Sequence, residues 1–221
     1  MRKARLALLA VSLAGILLSG CASQAASKFS PADSCVYVAK DGSVSSALVK
    51  SYEGQTVDEK DLKQYLEAAV IRYNKENGGQ ESAQNQLGGA NRLPAAIQSL
   101  TVSDGVMKVI FDYASVEDLK KFRQTNDNAD ESNTIAAVEV KKTADADSAG
   151  WFSEGKYVKA DGTAAATEEL KADAEASVAS LEGGGTVMFS GKVLFMSEGL
   201  EKKDDYTVVI PEGQKAFVIF K

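Results

Sequence analysis

Residues 97–113 read Ile97-Gln98-Ser99-Leu100-Thr101-Val102-Ser103-Asp104-Gly105-Val106-Met107-Lys108-Val109-Ile110-Phe111-Asp112-Tyr113. Two runs rich in β-branched and aromatic residues flank Asp104-Gly105, a dipeptide favoured in two-residue hairpin turns. The reading is therefore a hairpin of Ile97–Ser103 with Val106–Tyr113. Val109, Phe111 and Tyr113 alternate with Lys108, Ile110 and Asp112. Ile110 spoils the polar face, as it would in a sheet covered on both sides.

The flanking sequence repeats this hairpin-and-helix logic. Upstream, Val36–Lys40 and Val44–Tyr52 bracket Asp41-Gly42, a second hairpin signal. Thr56 and Glu59 fit a capping box. Leu62, Tyr65, Leu66, Ala69, Val70 and Tyr73 then fall on one stripe of a 3.6-residue period. A helix over 58–76 follows, stopped by Asn77-Gly78-Gly79. Residues 78–94, rich in Gly, Gln, Asn and Ser, read as a surface loop. Downstream, Ser115 caps a short helix carrying Leu119 and Phe122, residues 124–133 form a polar loop, and Thr134–Lys141 reads as a strand.

Residues 142–150 are small and acidic and make the best internal boundary, dividing 35–142 from a second half at 151–221. In that half Lys156–Lys159 reads as a strand and Thr167–Leu181 as an alanine-rich helix closed by Gly183-Gly184-Gly185. Two hairpins are expected to follow. Thr186–Phe189 would pair with Lys192–Met196 across Ser190-Gly191, and Tyr206–Ile210 with Ala216–Phe220 across Pro211-Glu212-Gly213. The class is α+β, a mostly antiparallel sheet built from hairpins with about three helices. Tyr37-Val38-Ala39-Lys40-Asp41-Gly42 resembles Tyr157-Val158-Lys159-Ala160-Asp161-Gly162, but later spacings differ and no fixed-period repeat emerges.

The N-terminus carries the strongest functional signal. Arg2, Lys3 and Arg5 precede an uncharged apolar run from Leu6 to Leu18, too short for the ~20 residues of a spanning helix. The run ends in Leu18-Ser19-Gly20-Cys21, which resembles the lipobox of bacterial lipoproteins. The resemblance implies that residues 1–20 are a signal peptide and that Cys21 carries a diacylglycerol. The two acyl chains would anchor the protein to the cell membrane, facing outside the cytoplasm. Residues 21–34 read as a flexible tether. Cleavage before Cys21 removes Arg2, Lys3 and Arg5 and no acidic residue, which takes the net charge from −6 to −9. That balance argues against nucleic acid, whose phosphates require a basic face. Cys35 opens the apolar run Cys35-Val36-Tyr37-Val38 and reads as a buried, inert thiol.

Composition excludes several chemistries. The chain has no histidine and two cysteines, so Ser-His-Asp and Cys-His sites, His-ligated metals and CxxC motifs are ruled out. Ser153-Glu154-Gly155-Lys156 has serine–lysine spacing but lacks the partner motifs of penicillin-interacting enzymes. Gly183-Gly184-Gly185 precedes a strand, the wrong order for a phosphate loop. Asn126–Asn133 is oxygen-rich but lacks the glycine and glutamate of a calcium loop, and no spacing singles out a pair of carboxylates. No cofactor or metal is expected. Trp151 and Phe152 stand between glycines; buried, they would pin the second half to the sheet, and exposed, they form a possible contact surface.

Residues 93–122, Leu93-Pro94-Ala95-Ala96 followed by the hairpin and its capped helix, resemble the central hairpin of the GerM-type domain of bacterial lipoproteins. The resemblance implies an α+β, non-catalytic envelope-assembly module. The expected function is therefore a lipid-anchored extracytoplasmic binding module. Its partners would be membrane lipid through Cys21 and an envelope protein or glycan, with an unpaired strand edge such as Ala216–Phe220 as contact. The alternatives are a lipid-anchored hydrolase using carboxylates and a solute-binding lipoprotein.

Overall fold

The computed structural model describes residues 29, 31–52, 58–85, 92–125 and 133–221. The two expected hairpins are present. β1 (Cys35–Val38) pairs with β2 (Val44–Ser51), and β3 (Ala95–Ser103) pairs with β4 (Val106–Tyr113). Asp104 and Gly105 have φ of 52° and 73°, the two left-handed residues that a type I′ turn needs. Between the hairpins lies α1 (Glu59–Glu76), with Asp58 as its cap. The Asp58 carboxylate accepts from the amides of Lys60 and Asp61 at 2.8 and 3.2 Å. Thr56, the expected cap, lies outside the described residues.

Leu66, Ala69, Val70 and Tyr73 are buried as the stripe predicts, but Tyr65 is 49% exposed. At 100° per residue Tyr65 falls roughly 80° from the centre of that stripe, where a phenol keeps its polar end in water. α2 (Val116–Gln124) is capped by Ser115, whose hydroxyl accepts from the Asp118 amide at 3.1 Å, and it buries Leu119 and Phe122.

The second half departs further from expectation. It comprises β5 (Ala137–Lys142), α3 (Thr143–Ser148), a 3-10 turn at Trp151–Ser153, β6 (Tyr157–Lys159), α4 (Thr167–Leu170) and β7 (Ser177–Glu182). β8 (Gly185–Phe189), β9 (Val193–Ser197), β10 (Glu201–Lys202), β11 (Thr207–Ile210) and β12 (Lys215–Phe220) complete it. The helix expected over Thr167–Leu181 is therefore one turn followed by a strand. β7 is paired on both sides, by β5 and β12. Its residues 177–181 are all buried, and a strand buried on both faces loses the two-residue alternation that identifies it in sequence. Neither late hairpin forms. β8 and β9 lie in different sheets, as do β11 and β12.

Seven strands form one sheet in the order β10-β11-β8-β1-β2-β4-β3, and five form the other in the order β5-β7-β12-β9-β6. Every pairing is antiparallel except β1 with β8. Each sheet draws strands from both sides of residues 142–150. That segment is mostly α3, with Thr143 and Ala146 buried. The Thr143 hydroxyl donates to the carbonyls of Asp173 and Ala176 at 2.8 and 3.1 Å.

One core joins Val38, Val109 and Phe189 of the larger sheet to Leu66 and Val70 of α1, Leu119 and Phe122 of α2, and Leu181, Val218 and Phe220 of the smaller sheet. The helices and the smaller sheet thus cover one face of the larger sheet. Its opposite face has a separate apolar cluster of Cys35, Tyr37, Ala39, Ala47 and Ile110 with Phe29. This second cover explains why Ile110 interrupts the polar face.

Gly183-Gly184-Gly185 carries the chain from the smaller sheet to the larger. Gly183 has φ of 107°, and a Cβ there would run into the Thr134 carbonyl. The triplet is a strand-to-strand crossing rather than a helix stop.

Candidate functional site

Cys21 lies outside the described residues. Among those residues no helix is long and apolar enough to cross a membrane. Trp151 and Phe152 are buried, at 5% and 4% exposure, so of the two alternatives the pair takes the one that pins the second half to the sheet, and it offers no contact surface. Trp151 packs 5.5 Å from the Phe217 ring, and the Lys141 ammonium sits 4.5 Å over its face. The Tyr157 hydroxyl donates to the Trp151 carbonyl at 2.7 Å. With Leu170, Val178 and Ile219 they seal the outer side of the smaller sheet. Large aromatic area close to a sheet favours this burial. Ala216–Phe220 is not an edge either. β12 lies between β7 and β9 and is paired on both sides.

The sheets end at β3, β10, β5 and β6, and β3, at the end of the larger sheet, is an edge with room for a partner. Its first half is sealed. Asn74, fully buried in α1, accepts from the Ala95 amide at 2.9 Å and donates to the Ala95 carbonyl at 2.8 Å. The Ile97 amide donates to the Ala83 carbonyl at 2.7 Å. A bulge follows between Ile97 and Ser99. Beyond it the two-residue turn makes Ser103 and Val106 a hydrogen-bonded pair, so Thr101 and Ser99 also bond to β4. The backbone groups of Leu100 and Val102 then point away from β4, and among the described residues none pairs with them.

The Leu100 and Val102 side chains are half-buried against the main core, while Ser99, Thr101 and Ser103 are exposed. Among the described residues the edge therefore has unpaired amides and carbonyls, an apolar inner lip and a hydroxyl-lined outer side. Such an edge can accept an extended strand. The Asp-Gly hairpin was legible in the sequence. That β3 rather than β12 ends a sheet was not, because edge position depends on partners distant in the chain.

Among the described residues the remaining candidates are not brought together. Ser153 ends a 3-10 turn rather than starting a helix, and Glu154 pairs with Lys215 at 2.7 Å. Ser177 has a fully buried hydroxyl with no hydrogen-bond partner among the described residues, and burial keeps any substrate from it. Residues 126–132 of the oxygen-rich loop lie outside the described residues. The last, Asn133, accepts from the Ile135 amide at 3.1 Å and donates to the Thr186 carbonyl at 3.2 Å. Among the described residues no cluster of three or more acidic or thiol groups is placed to hold a metal.

Among the described residues the carboxylates with displaced pKa values, Asp41, Asp161, Glu169, Asp173 and Asp205, are displaced downward. Their principal causes are side-chain hydrogen bonds from Ser43, Thr163, Lys159, Lys221 and Lys192 respectively. A general acid in glycoside hydrolysis needs the opposite shift. No protein-family model, curated protein or solved structure matches this chain.

Proposed function

We propose that this chain is a bacterial lipoprotein, anchored through a diacylglycerol on Cys21, whose extracytoplasmic α+β domain binds an envelope partner without catalysing a reaction. The partner contributes an extended segment that adds a strand to the open half of β3. The observation that carries the reading is the backbone of Leu100 and Val102, unpaired among the described residues, at the end of a seven-stranded sheet. The basic n-region, the apolar run and Leu18-Ser19-Gly20-Cys21 support the anchor. Anchoring concentrates the domain in two dimensions, so a short edge suffices for binding a membrane-bound partner.

Proline at position 102 removes an outward amide while leaving the pairs with β4 intact, so Val102→Pro should fold and lose the partner. Thr101→Pro removes a ladder bond and should destabilise the domain by about 1–3 kcal/mol. In-cell crosslinking from position 103 reads the contact, and fatty-acid labelling of Cys21→Ala reads the anchor. Retained crosslinking in a folded Val102→Pro protein would overturn the edge contact. Undiminished lipid label on Cys21→Ala would overturn the anchor.

A further inference from the structure

The segment from Cys21 to Ser34 was expected to be a free tether, yet Phe29 within it is 4% exposed. Its ring centroid lies 4.7 Å from that of Tyr37. It joins Cys35, Tyr37, Ala39, Ala47 and Ile110, with Met188 packed against them. These residues share the face of the larger sheet opposite α1, α2 and the smaller sheet. Strand register places them side by side, with Cys35 opposite Ala47, Ala47 opposite Ile110, and Tyr37 opposite Met188.

Closer to the strand the chain is held again. The Ser34 hydroxyl donates to the Val49 carbonyl at 3.2 Å and accepts from the Val49 amide at 2.9 Å. Burial raises the pKa of the Tyr37 phenol, opposed by a hydrogen bond with Ser190. The outer face of the larger sheet is thus an apolar seat, and the side chain occupying it comes from the chain's own anchor-proximal segment.

We propose that Phe29 is a latch, docking the N-terminal segment onto the outer face of the larger sheet and shortening the leash between lipid and domain to residues 22–28. The consequence for position rests on the lipoprotein reading above; the latch itself does not. Fully extended, the leash from Cys21 to Phe29 spans at most about 30 Å, against about 50 Å from Cys21 to Cys35 if Phe29 were free. A latched domain holds its outer sheet face close to the lipid and keeps an apolar patch covered that would otherwise invite non-specific contacts.

Lys28 precedes Phe29, so trypsin reads the latch directly. Full-length protein in detergent is digested under native conditions, and cleavage after Lys28 is followed by mass spectrometry. The folded wild-type chain should be cut there at least about tenfold more slowly than the same chain unfolded in urea. Phe29→Ala should abolish most of that protection, and Phe29→Leu should retain it. Cuts within α2, after Lys121, report whether the body of the domain stays folded.

Equal cleavage after Lys28 in folded Phe29→Ala and wild type would overturn the latch. So would wild-type protection below about tenfold relative to urea, even if Phe29→Ala itself failed to fold. Failure of fatty-acid labelling at Cys21 would overturn the anchor while leaving the trypsin result unchanged, so the two failures are distinguishable.

Discussion

Asp41 and Asp161 occupy turns that match hydrogen bond for hydrogen bond. Asp41 Oδ1 accepts from the amide and hydroxyl of Ser43 at 3.0 and 2.7 Å, and Asp161 Oδ1 from those of Thr163 at 2.9 and 2.6 Å. Gly42 and Gly162 follow with φ of 81° and 85°. The likeness between residues 37–42 and 157–162 is thus a shared turn. It is not a duplicated fold, because β1 lies inside the larger sheet and β6 at the edge of the smaller. Both carboxyls are held below their ordinary pKa, first by the side-chain hydrogen bonds from Ser43 and Thr163. A depressed folded-state pKa stabilises fully above the unfolded value of about 3.9 and is lost as pH falls through the folded value. Asparagine keeps the accepting oxygen but does not titrate. The double change Asp41→Asn with Asp161→Asn should therefore flatten the fall of the melting midpoint below about pH 4, by lowering the midpoint near neutrality, where both carboxylates are ionised, and leaving the most acidic midpoints close to wild type. Thermal melts across that range measure it, and an equally steep acid loss would contradict the account.

At the scale of elements, α1 is the part whose sequence pattern reads most directly. Its buried residues occupy one stripe because a single face meets the sheet, and that local geometry is written in residue spacing. Leu66→Ala should cost ~2–5 kcal/mol as a buried large-to-small change. Lys63→Ala, which loses only an exposed contact with Glu67 at 3.9 Å, should stay within about 0.5 kcal/mol. Denaturant melts of the two variants separate these outcomes, and similar losses would place the stripe on the wrong face. The same logic explains why Thr167–Leu181 misleads. Leu170, Ala174, Val178 and Leu181 have helical spacing, but Val178 and Leu181 are buried on opposite faces of one strand. The Asp173 carboxylate accepts from the Glu175 amide at 3.1 Å in the turn between α4 and β7. Between β5 and β12 the strand satisfies its backbone and buries residues 177–181, more apolar burial than a solvent-facing helix would give, so tertiary pairing overrides an alanine-rich propensity.

At the scale of the whole molecule, the two sheets share one core and exchange strands across the middle of the sequence. β5 from the first half lies in the smaller sheet, while β8, β10 and β11 from the second lie in the larger. Unfolding either half alone would break the parallel pairing of β1 with β8 and expose the shared core. Trp151 fluorescence, which reports the outer side of the smaller sheet, should therefore lose its native signal at the same denaturant concentration as far-ultraviolet circular dichroism. Gly183→Ala, at the crossing between sheets, should lower both midpoints together, by on the order of 2–4 kcal/mol in stability. Two separated transitions would mean that the halves unfold independently.

Local chemistry alone determined the α+β class, both Asp-Gly hairpins, α1, α2 and the basic and apolar pattern ending at Cys21. Each is set by turn residues, caps or side-chain periodicity within about twenty consecutive positions. Tertiary structure alone decided which strands share a sheet, that Ala216–Phe220 is central, that β3 ends the larger sheet and that Phe29 is docked rather than free. These outcomes depend on pairings between residues as distant as Val36 and Val187. Backbone hydrogen bonds carry no side-chain code for their partner, so such pairings are selected only when the whole core closes.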